Sequence, residues 1–280
     1  MKTNTAHDLL EAELLLEAIY RVHGYDFRSY ARASILRRIQ DQVQRSKIQH
    51  ISDLISKVIY DEDFFHDMLE NLPIKVTEMF RDPFFYKALR SKVIPHLQSY
   101  PFIKIWSAGC ATGEEAYSLS ILLKEEELLH KAHIYATDIN LRALKTAKEA
   151  TYPVETMVKN RINYQKFEGK SDLENYYFKD YHHVRIAEYL RNKIIFSEHS
   201  LVTDGIFGEM NVIVCRNVMI YFDHTLQNKV FTLLCNSLCY QGFLCLGDKE
   251  TLNFSAIAPY FKEIDPYAKI YQKKVSGYIT

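Results

Sequence analysis

The sequence predicts an α/β protein in which an all-helical N-terminal region precedes a mostly parallel, doubly wound β-sheet. Over residues 1–75, apolar side chains recur at helical spacing, and Gly24 is the only glycine. From residue 102 the pattern changes to short apolar runs that alternate with helical segments. Strands that alternate with helices favour a parallel sheet covered by helices on both faces.

Leucine and isoleucine carry the helical pattern of the N-terminal region. The recurring positions include Leu9, Leu10, Leu14, Leu15, Ile19 and Tyr20, followed by Ile35, Ile39 and Val43. Pro73 and Pro83 then interrupt the helical run. We therefore expect an N-terminal helical domain at residues 1–75 and a second domain at residues 76–280.

Six short apolar runs are the candidate strands of the second domain. They are FIKIWSAGC, HIYATDIN, NKIIFSEH, MNVIVCRN, GFLCLGD and AKIYQKKV. The last two have no long helix after them and are expected to pair antiparallel at one edge of the sheet. Residues 150–192, rich in Tyr, Lys, Asp and Glu, are interpreted as an inserted small antiparallel β subdomain.

Composition and charge exclude several classes of protein. Lys plus Arg and Asp plus Glu each number 35, so the chain lacks the basic excess of a typical nucleic-acid binder. The N-terminus does not resemble a signal peptide, no apolar run approaches the length of a membrane span, and the five cysteines form no CxxC pair. We expect a cytoplasmic protein with free thiols, no metal site and no membrane insertion. No strong apolar surface stripe is evident, which favours a monomer.

The first strand run ends in a candidate ligand site. Ligands of open parallel sheets bind at the carboxyl ends of the strands, and residues 107–115 form a glycine turn at such an end. The turn lacks the third glycine of a dinucleotide fingerprint, and Glu114 and Glu115 stand where a pyrophosphate needs positive charge. These acids suit a cationic ligand that carries an ammonium and a sulfonium, although such a turn also occurs without any ligand.

Three other strand ends carry polar residues. Asp138 ends the second strand, where an acid commonly accepts hydrogen bonds from ribose hydroxyls; it is equally suited to cap the helix that begins near Leu141. Ser200 follows the third strand. Arg216 and Asn217 end the fourth, which should be buried, so they need partners that a bound ligand would supply.

Four segments, WSAGCATGEEAYSL, ATDIN, VTEMFRDPFF and VIVCRNVMIYFD, together resemble the chemotaxis receptor methyltransferase (CheR) family in order and spacing. The resemblance covers nearly the whole chain. It implies a Rossmann-like S-adenosylmethionine methyltransferase domain, with the helical N-terminal domain packed on it and the cofactor between them. By motif position, the implied cofactor-binding residues are Thr77, Arg81, Ala108, Glu114, Asp138, Ile139, Ser200, Leu201, Asn217, Val218 and Ile220. The family often has Asn where Ser200 and Lys75 stand.

The activity that the resemblance implies is methyl transfer to glutamate carboxylates of a chemoreceptor. A glutamate with a pKa of about 4.3 is already ionised at neutral pH, so no general base is needed. We expect Arg81 to hold the incoming carboxylate and Tyr221 to orient the methyl group or the substrate. The alternatives are a salt bridge from Arg81 to Asp82 or Glu78, and a packed aromatic role for Tyr221.

A basic run in the N-terminal region is a candidate docking surface for acid-rich receptor helices. It contains Arg28, Arg32, Arg37, Arg38 and Arg45, and its alternative interpretation is a solvated helix face.

Two other functions stay open for the chain: methylation of another protein or a small molecule, and non-catalytic sensing of S-adenosylmethionine. A nicotinamide oxidoreductase is disfavoured by the missing glycine and by the two acids.

Overall fold

The structure, a computed structural model, describes residues 5–72 and 77–279. The chain forms two compact units, one comprising Met1–Lys75 with Ile220–Lys229 and the other comprising Val76–Met219 with Val230–Thr280. The predicted domain boundary at residues 75–76 lies outside the described residues. No helix in the described parts of the chain is long and apolar enough to cross a membrane.

The first unit is helical, as predicted. Its helices are α1 (Thr5–His23), α2 (Arg32–Arg45), α3 (Asp53–Tyr60) and α4 (Glu62–Asn71). The Asp61 side chain begins α4 by accepting a hydrogen bond from the backbone N–H of Phe64. The buried face of α1 is formed by Ala12, Leu15, Leu16 and Ile19, whereas Leu10 and Leu14 are exposed. Arg28 lies in the loop before α2 and pairs with Glu17 and Asp26, so only the later arginines of the basic run lie on that helix.

The second unit alternates strands with helices. Its strands are β1 (Ile103–Ala108), β2 (Ala132–Asp138), β3 (Thr151–Pro153), β4 (Tyr177–Lys179), β5 (His183–Ile186), β6 (Ile194–Glu198), β7 (Met210–Cys215), β8 (Leu238–Leu246), β9 (Phe261–Asp265) and β10 (Ile270–Lys273). Its helices are α5 (Pro83–Ala88), α6 (Ile94–Leu97), α7 (Glu114–Glu125), α8 (Leu141–Glu149), α9 (Thr156–Phe167) and α10 (Glu188–Arg191), and α11 (His224–Asn236) starts in the first unit. A π-helical turn, Leu89–Val93, joins α5 to α6.

Seven strands form the main sheet in the order β6-β2-β1-β7-β8-β10-β9. The five strands from β6 to β8 are parallel, and β10 pairs antiparallel with both β8 and β9. The predicted mostly parallel sheet with an antiparallel edge is therefore confirmed. The chain passes from β1 to β2 on one side and later to β7 on the other, so strand order reverses at β1.

The central strands are buried because helices cover an apolar sheet. Trp106, the only tryptophan of the chain, is fully buried on β1 and donates a hydrogen bond to the hydroxyl of Thr137 on β2 at 2.8 Å. Tyr117 on α7 is also fully buried and donates to the carbonyl of Ala147 on α8 at 2.7 Å. Each of these two aromatic side chains thus has a partner for its polar atom, as burial requires.

The insertion contains the expected small antiparallel sheet, in the order β3-β5-β4. It also contains α9, which the sequence analysis did not anticipate. The buried residues of this helix, Met157, Asn160, Asn163, Tyr164 and Phe167, recur at helical spacing, but two of them are polar. An amphipathic pattern read only from apolar residues therefore misses the helix.

Candidate functional site

The predicted ligand segments converge at one edge of the main sheet. The turn after β1, the ends of β2 and β6, and the residues after β7 all lie at the carboxyl ends of adjacent parallel strands. Because strand order reverses between β2 and β7, this edge is the switch point at which open α/β sheets bind ligands.

The turn after β1 is tightly packed. Gly109 has a φ of +79°, and a Cβ there would meet Val218 Cγ2 at 2.5 Å. Gly113 has a φ of +93°, and a Cβ there would meet the Cβ of Ala147 at 2.9 Å. Both glycines are thus required by backbone conformation and by close packing. Gly109 brings the end of β1 against the segment after β7.

Asp138 joins the end of β2 to the glycine turn. Its Oδ2 accepts a hydrogen bond from the backbone N–H of Ala111 at 2.8 Å, and its Oδ1 accepts one from that of Asn140 at 2.9 Å. Asn140 caps α8, because its side chain accepts from the N–H of Ala143. The interpretation of Asp138 as the helix cap is therefore wrong. Its half-buried carboxylate stays at the strand end, next to Ile139.

Ser200 organises the turn after β6. Its hydroxyl accepts hydrogen bonds from the backbone N–H groups of Val202 and Thr203, and its own N–H donates to Asp204. The preceding His199 donates its N–H to the carbonyl of Asp138 at 3.3 Å. The hydroxyl of Ser200 thus makes its hydrogen bonds within the turn. The same turn carries Leu201, whose side chain is buried.

The residues after β7 are anchored by the segment that follows β8. Asn217 has a φ of +60°, a left-handed conformation that Asn tolerates better than most residues. Its backbone N–H donates to Oε2 of Glu250 at 3.0 Å, and the same oxygen accepts from the N–H of Gly247 at 2.6 Å. Glu250 is buried and fixes the turn that presents Asn217 and Val218 to Gly109.

Arg216 holds the Arg81 segment at this edge. Its side chain is only 2% exposed, donates to Asp82 Oδ2 at 2.6 Å, and lies 3.4 Å from Glu115 Oε2. It also donates to the main-chain carbonyl of Arg81 at 3.3 Å, and its guanidinium stacks on the ring of Phe85. These contacts correct the expectation that a ligand satisfies Arg216, because protein groups already accept from both of its Nη atoms. Among the described residues, its buried Nε has no hydrogen-bond partner.

Arg81 is half-buried and belongs to the electrostatic surroundings of Glu115. The acids proposed as its salt-bridge alternatives have other partners, since Asp82 pairs with Arg216 and Glu78 pairs with Lys159.

The other predicted site residues nearby are placed as follows. Thr77 is half-buried in the same segment as Arg81, and Lys75 lies outside the described residues. Ile220 and Tyr221 belong to the first unit, where the carbonyl of Tyr221 accepts from the N–H of Ala31.

Burial shapes the ionisation of the carboxylates at this edge. It raises the pKa of Glu114, although the Thr112 hydroxyl favours the ionised form. It also raises the pKa of Asp138 against the opposing hydrogen bonds from Asn140 and Ala111. Burial raises the pKa of Glu115 too, and here the Arg216 guanidinium opposes it.

The acids divide into two kinds. Among the described residues, the ion pairs at this edge join Arg216 to Asp82 and Glu115, and none involves Glu114 or Asp138. Two half-buried carboxylates without a protein cation disfavour a pyrophosphate and suit an ammonium group and a pair of hydroxyls. These two hydrogen-bond acceptors therefore fit S-adenosylmethionine, which carries both an ammonium group and ribose hydroxyls. In the described parts of the chain no group of His, Cys, Asp or Glu could hold a metal ion.

Sequence reasoning missed the residues that position this site. Four buried or partly buried polar residues, distant in sequence from the site segments, form hydrogen bonds with the main chain of those segments. They are Glu250, Ser118 and the two buried asparagines of α9. Their only local signal is polarity at positions that should be buried. The sheet, the glycine turn and the strand-end acids together define a nucleotide-binding domain of the methyltransferase type.

Family models match almost the whole chain. The model described as CheR methyltransferase, all-alpha domain, matches residues 10–72, and that described as CheR methyltransferase, SAM binding domain, matches residues 75–266. The chain therefore belongs to the CheR methyltransferase family.

Individual relatives agree. The chain is 43% identical over 264 residues to "Putative methyltransferase Cher3" of Pseudomonas putida, with 94% of this chain and 97% of that protein covered. It is 29% identical to a chemotaxis protein methyltransferase of Borreliella burgdorferi, covering 66% of this chain and 68% of the other. It is 27% identical to one of Listeria monocytogenes, covering 82% and 85%.

Arg216→Met should destabilise the second unit strongly, because it leaves Asp82 and Glu115 charged and partly buried. Removing one member of a buried ion pair costs about 3–5 kcal/mol. Denaturant unfolding followed by the fluorescence of Trp106 measures the loss. Arg161→Met, which removes an exposed pair with Glu174 in the same unit, is the control and should cost roughly 1 kcal/mol or less. Equal losses for the two variants would contradict the proposed weight of the Arg216 network.

Proposed function

We propose that this protein transfers the methyl group of S-adenosylmethionine to glutamate carboxylates of a chemoreceptor-like protein, forming methyl esters. The observation that carries the proposal is the pairing, at one sheet edge, of cation-free acids with the segment that bears Arg81. Membership of the CheR family and relatives named chemotaxis protein methyltransferase support it.

The acids and the turns would hold the cofactor. Asp138 would accept hydrogen bonds from the ribose hydroxyls, with Ile139 beside it, and Glu114 would pair with the ammonium group. The backbone from Ala108 through the glycine turn allows close approach. The proposed cofactor-binding set is completed by Thr77, Arg81, Ser200, Leu201, Asn217, Val218 and Ile220. When bound, S-adenosylmethionine supplies an electrophilic methyl group on its sulfonium.

Arg81 and Tyr221 are the proposed catalytic residues. The Arg81 guanidinium would donate hydrogen bonds to the incoming glutamate and fix its direction, and Tyr221 would orient the methyl group or the substrate. No general base is required, because a glutamate carboxylate is ionised at neutral pH. Arg81 must position the carboxylate without withdrawing too much of its charge, since that charge makes it nucleophilic.

The basic run of the N-terminal region is proposed to dock the receptor. Arg37 and Arg45 are exposed on α2. Arg28 and Arg32 pair with acids of the same unit. Attraction between these cations and acid-rich receptor helices mainly raises the association rate and weakens as salt increases. A methylation rate independent of ionic strength would count against docking by charge.

The methyl ester itself is the most direct test. After incubation with methyl-labelled S-adenosylmethionine and membranes that contain chemoreceptors, we expect label on a receptor band that mild base releases as volatile methanol. Esters hydrolyse under these conditions, whereas N-methyl groups and methyl ethers do not. Base-stable label would assign the enzyme to another acceptor, and binding of cofactor without any transfer would indicate a sensor.

Arg81→Ala should lower turnover by about 100-fold or more, a loss typical of removing one preorganised donor. The main-chain carbonyl of Arg81, which Arg216 binds, is unaffected by the change. Arg81→Lys keeps the charge without the planar fork and should fall between. Steady-state methylation and calorimetry with S-adenosylhomocysteine separate catalysis from binding. Turnover unchanged in Arg81→Ala would remove this residue from the mechanism.

Glu114 should make cofactor binding depend on pH. Because burial raises the pKa of Glu114, the carboxylate protonates as pH falls through that raised value and then cannot pair with an ammonium. Affinity for S-adenosylhomocysteine should therefore be full above the raised pKa and decline as the pH falls through it. Glu114→Gln should bind about tenfold more weakly at pH 7 and lose most of this dependence.

The control for this pH dependence is Glu127→Gln, which removes an exposed acid just after α7. It should behave as the wild type in calorimetry over the same pH range. If Glu114→Gln retained both the wild-type affinity and its pH dependence, Glu114 would not be the partner of the ammonium.

A further inference from the structure

The main chain of Met79 is held on both sides by α9 of the insertion. Asn160 Oδ1 accepts a hydrogen bond from the Met79 N–H at 3.0 Å, and Asn163 Nδ2 donates one to the Met79 carbonyl at 3.1 Å. Asn160 is 3% exposed and Asn163 is 8% exposed. Both polar groups of this one peptide residue are thus satisfied by a helix about eighty residues away in sequence.

The residues next to Met79 are fixed by the same helix and by α7. The N–H of Phe80 donates to the Ser118 hydroxyl at 2.9 Å, and the Phe80 ring stacks on Phe167 of α9. Phe80 and Asp82 have φ values of +53° and +57°. Non-glycine residues hold such conformations only where their surroundings impose them.

The two asparagines interrupt the buried stripe of α9, which otherwise consists of Met157, Tyr164 and Phe167. An apolar side chain would pack there without the cost of burying an amide. An amide at each position is explained by what it binds, since the pair supplies one acceptor and one donor to a single residue. That single residue is Met79, and Arg81 lies two positions after it in the sequence.

We infer that Asn160 and Asn163 are positioning residues for Arg81: they fix the conformation of the segment that presents its guanidinium. This inference rests on the proposed function, in which Arg81 holds the substrate carboxylate. The inserted subdomain is then part of the apparatus that builds the reaction site, because its helix sets the main chain on which Arg81 is carried.

A pair of isosteric variants tests the two hydrogen bonds. In Asn160→Asp, the new side chain still accepts from the Met79 N–H in either ionisation state. In Asn163→Asp, it donates to the Met79 carbonyl only while protonated. Burial raises the pKa of the new carboxyl group above its ordinary value. Turnover of Asn163→Asp, divided by that of the wild type, should therefore fall about tenfold as pH rises through that raised pKa, and that of Asn160→Asp should not.

This difference separates positioning from stability. Both variants place a carboxyl group in a buried site, so a purely structural role would give the two the same pH profile. Turnover is measured on protein shown by circular dichroism to be folded. Matching profiles for the two variants would overturn the inference.

Hydrogen exchange gives a readout that needs no turnover. Asn160→Ala should raise the exchange rate of the Met79 amide about tenfold or more, because that N–H loses its acceptor. Asn175→Ala, which removes an exposed asparagine of the same insertion, is the matched control and should leave it unchanged. Unchanged exchange in Asn160→Ala would also overturn the inference.

The two proposals can fail separately. If the wild type formed no receptor methyl ester, hydrogen exchange at Met79 would still report on Asn160. If the ester formed normally but neither asparagine affected exchange or the pH profile, only the positioning role would be lost.

Discussion

The buried guanidinium of Arg216 is the constraint on which the geometry of the sheet edge depends. It is almost fully removed from solvent and is shared between Asp82 before α5 and Glu115 at the start of α7. A charge in such a place is tolerated only with partners in good geometry. The end of β7, the first turn of α7 and the Arg81 segment therefore cannot move independently, because separating any two of them leaves a charge without its counterion.

The same physics explains why the remaining acids are informative. Glu115 and Asp82 are neutralised by Arg216, whereas no Lys or Arg among the described residues pairs with Glu114 or Asp138. In one part of this edge, Arg216 balances the charges of Asp82 and Glu115. In the other part, burial disfavours the ionised forms of Glu114 and Asp138 until a cation or a hydrogen-bond donor binds. The carboxylates of Glu114 and Asp138, which no cation in the described parts of the chain neutralises, favour a cationic nucleoside over a dinucleotide with its negative pyrophosphate. The glycine turn alone would suit either ligand.

Apolar periodicity was sufficient to predict the helical front and the parallel sheet, because apolar spacing is local. The antiparallel edge was predicted from the lack of a long helix after the last two apolar runs, and the small inserted sheet from a change in composition. The failures share a different cause. Helix α9 was missed because polar Asn160 and Asn163 occupy its buried face, and the partner of Arg216 was misassigned because Asp82 lies 134 residues away. The alternative role of Asp138 as the cap of α8 was wrong because Asn140 takes it, and both residue types favour that position.

The contacts of the Arg81 segment also order events on the ribosome. The two partners of Met79 are synthesised 81 and 84 residues after it. The partner of Arg81 and Asp82 is Arg216, which is synthesised 135 and 134 residues after them. Each of these contacts can form only after both of its partners have been synthesised. A nascent chain that stops before β7 has already made the glycine turn and Asp138, yet it lacks the ion pair that seats the arginine. Competence for chemistry is therefore among the last properties that translation confers on this protein.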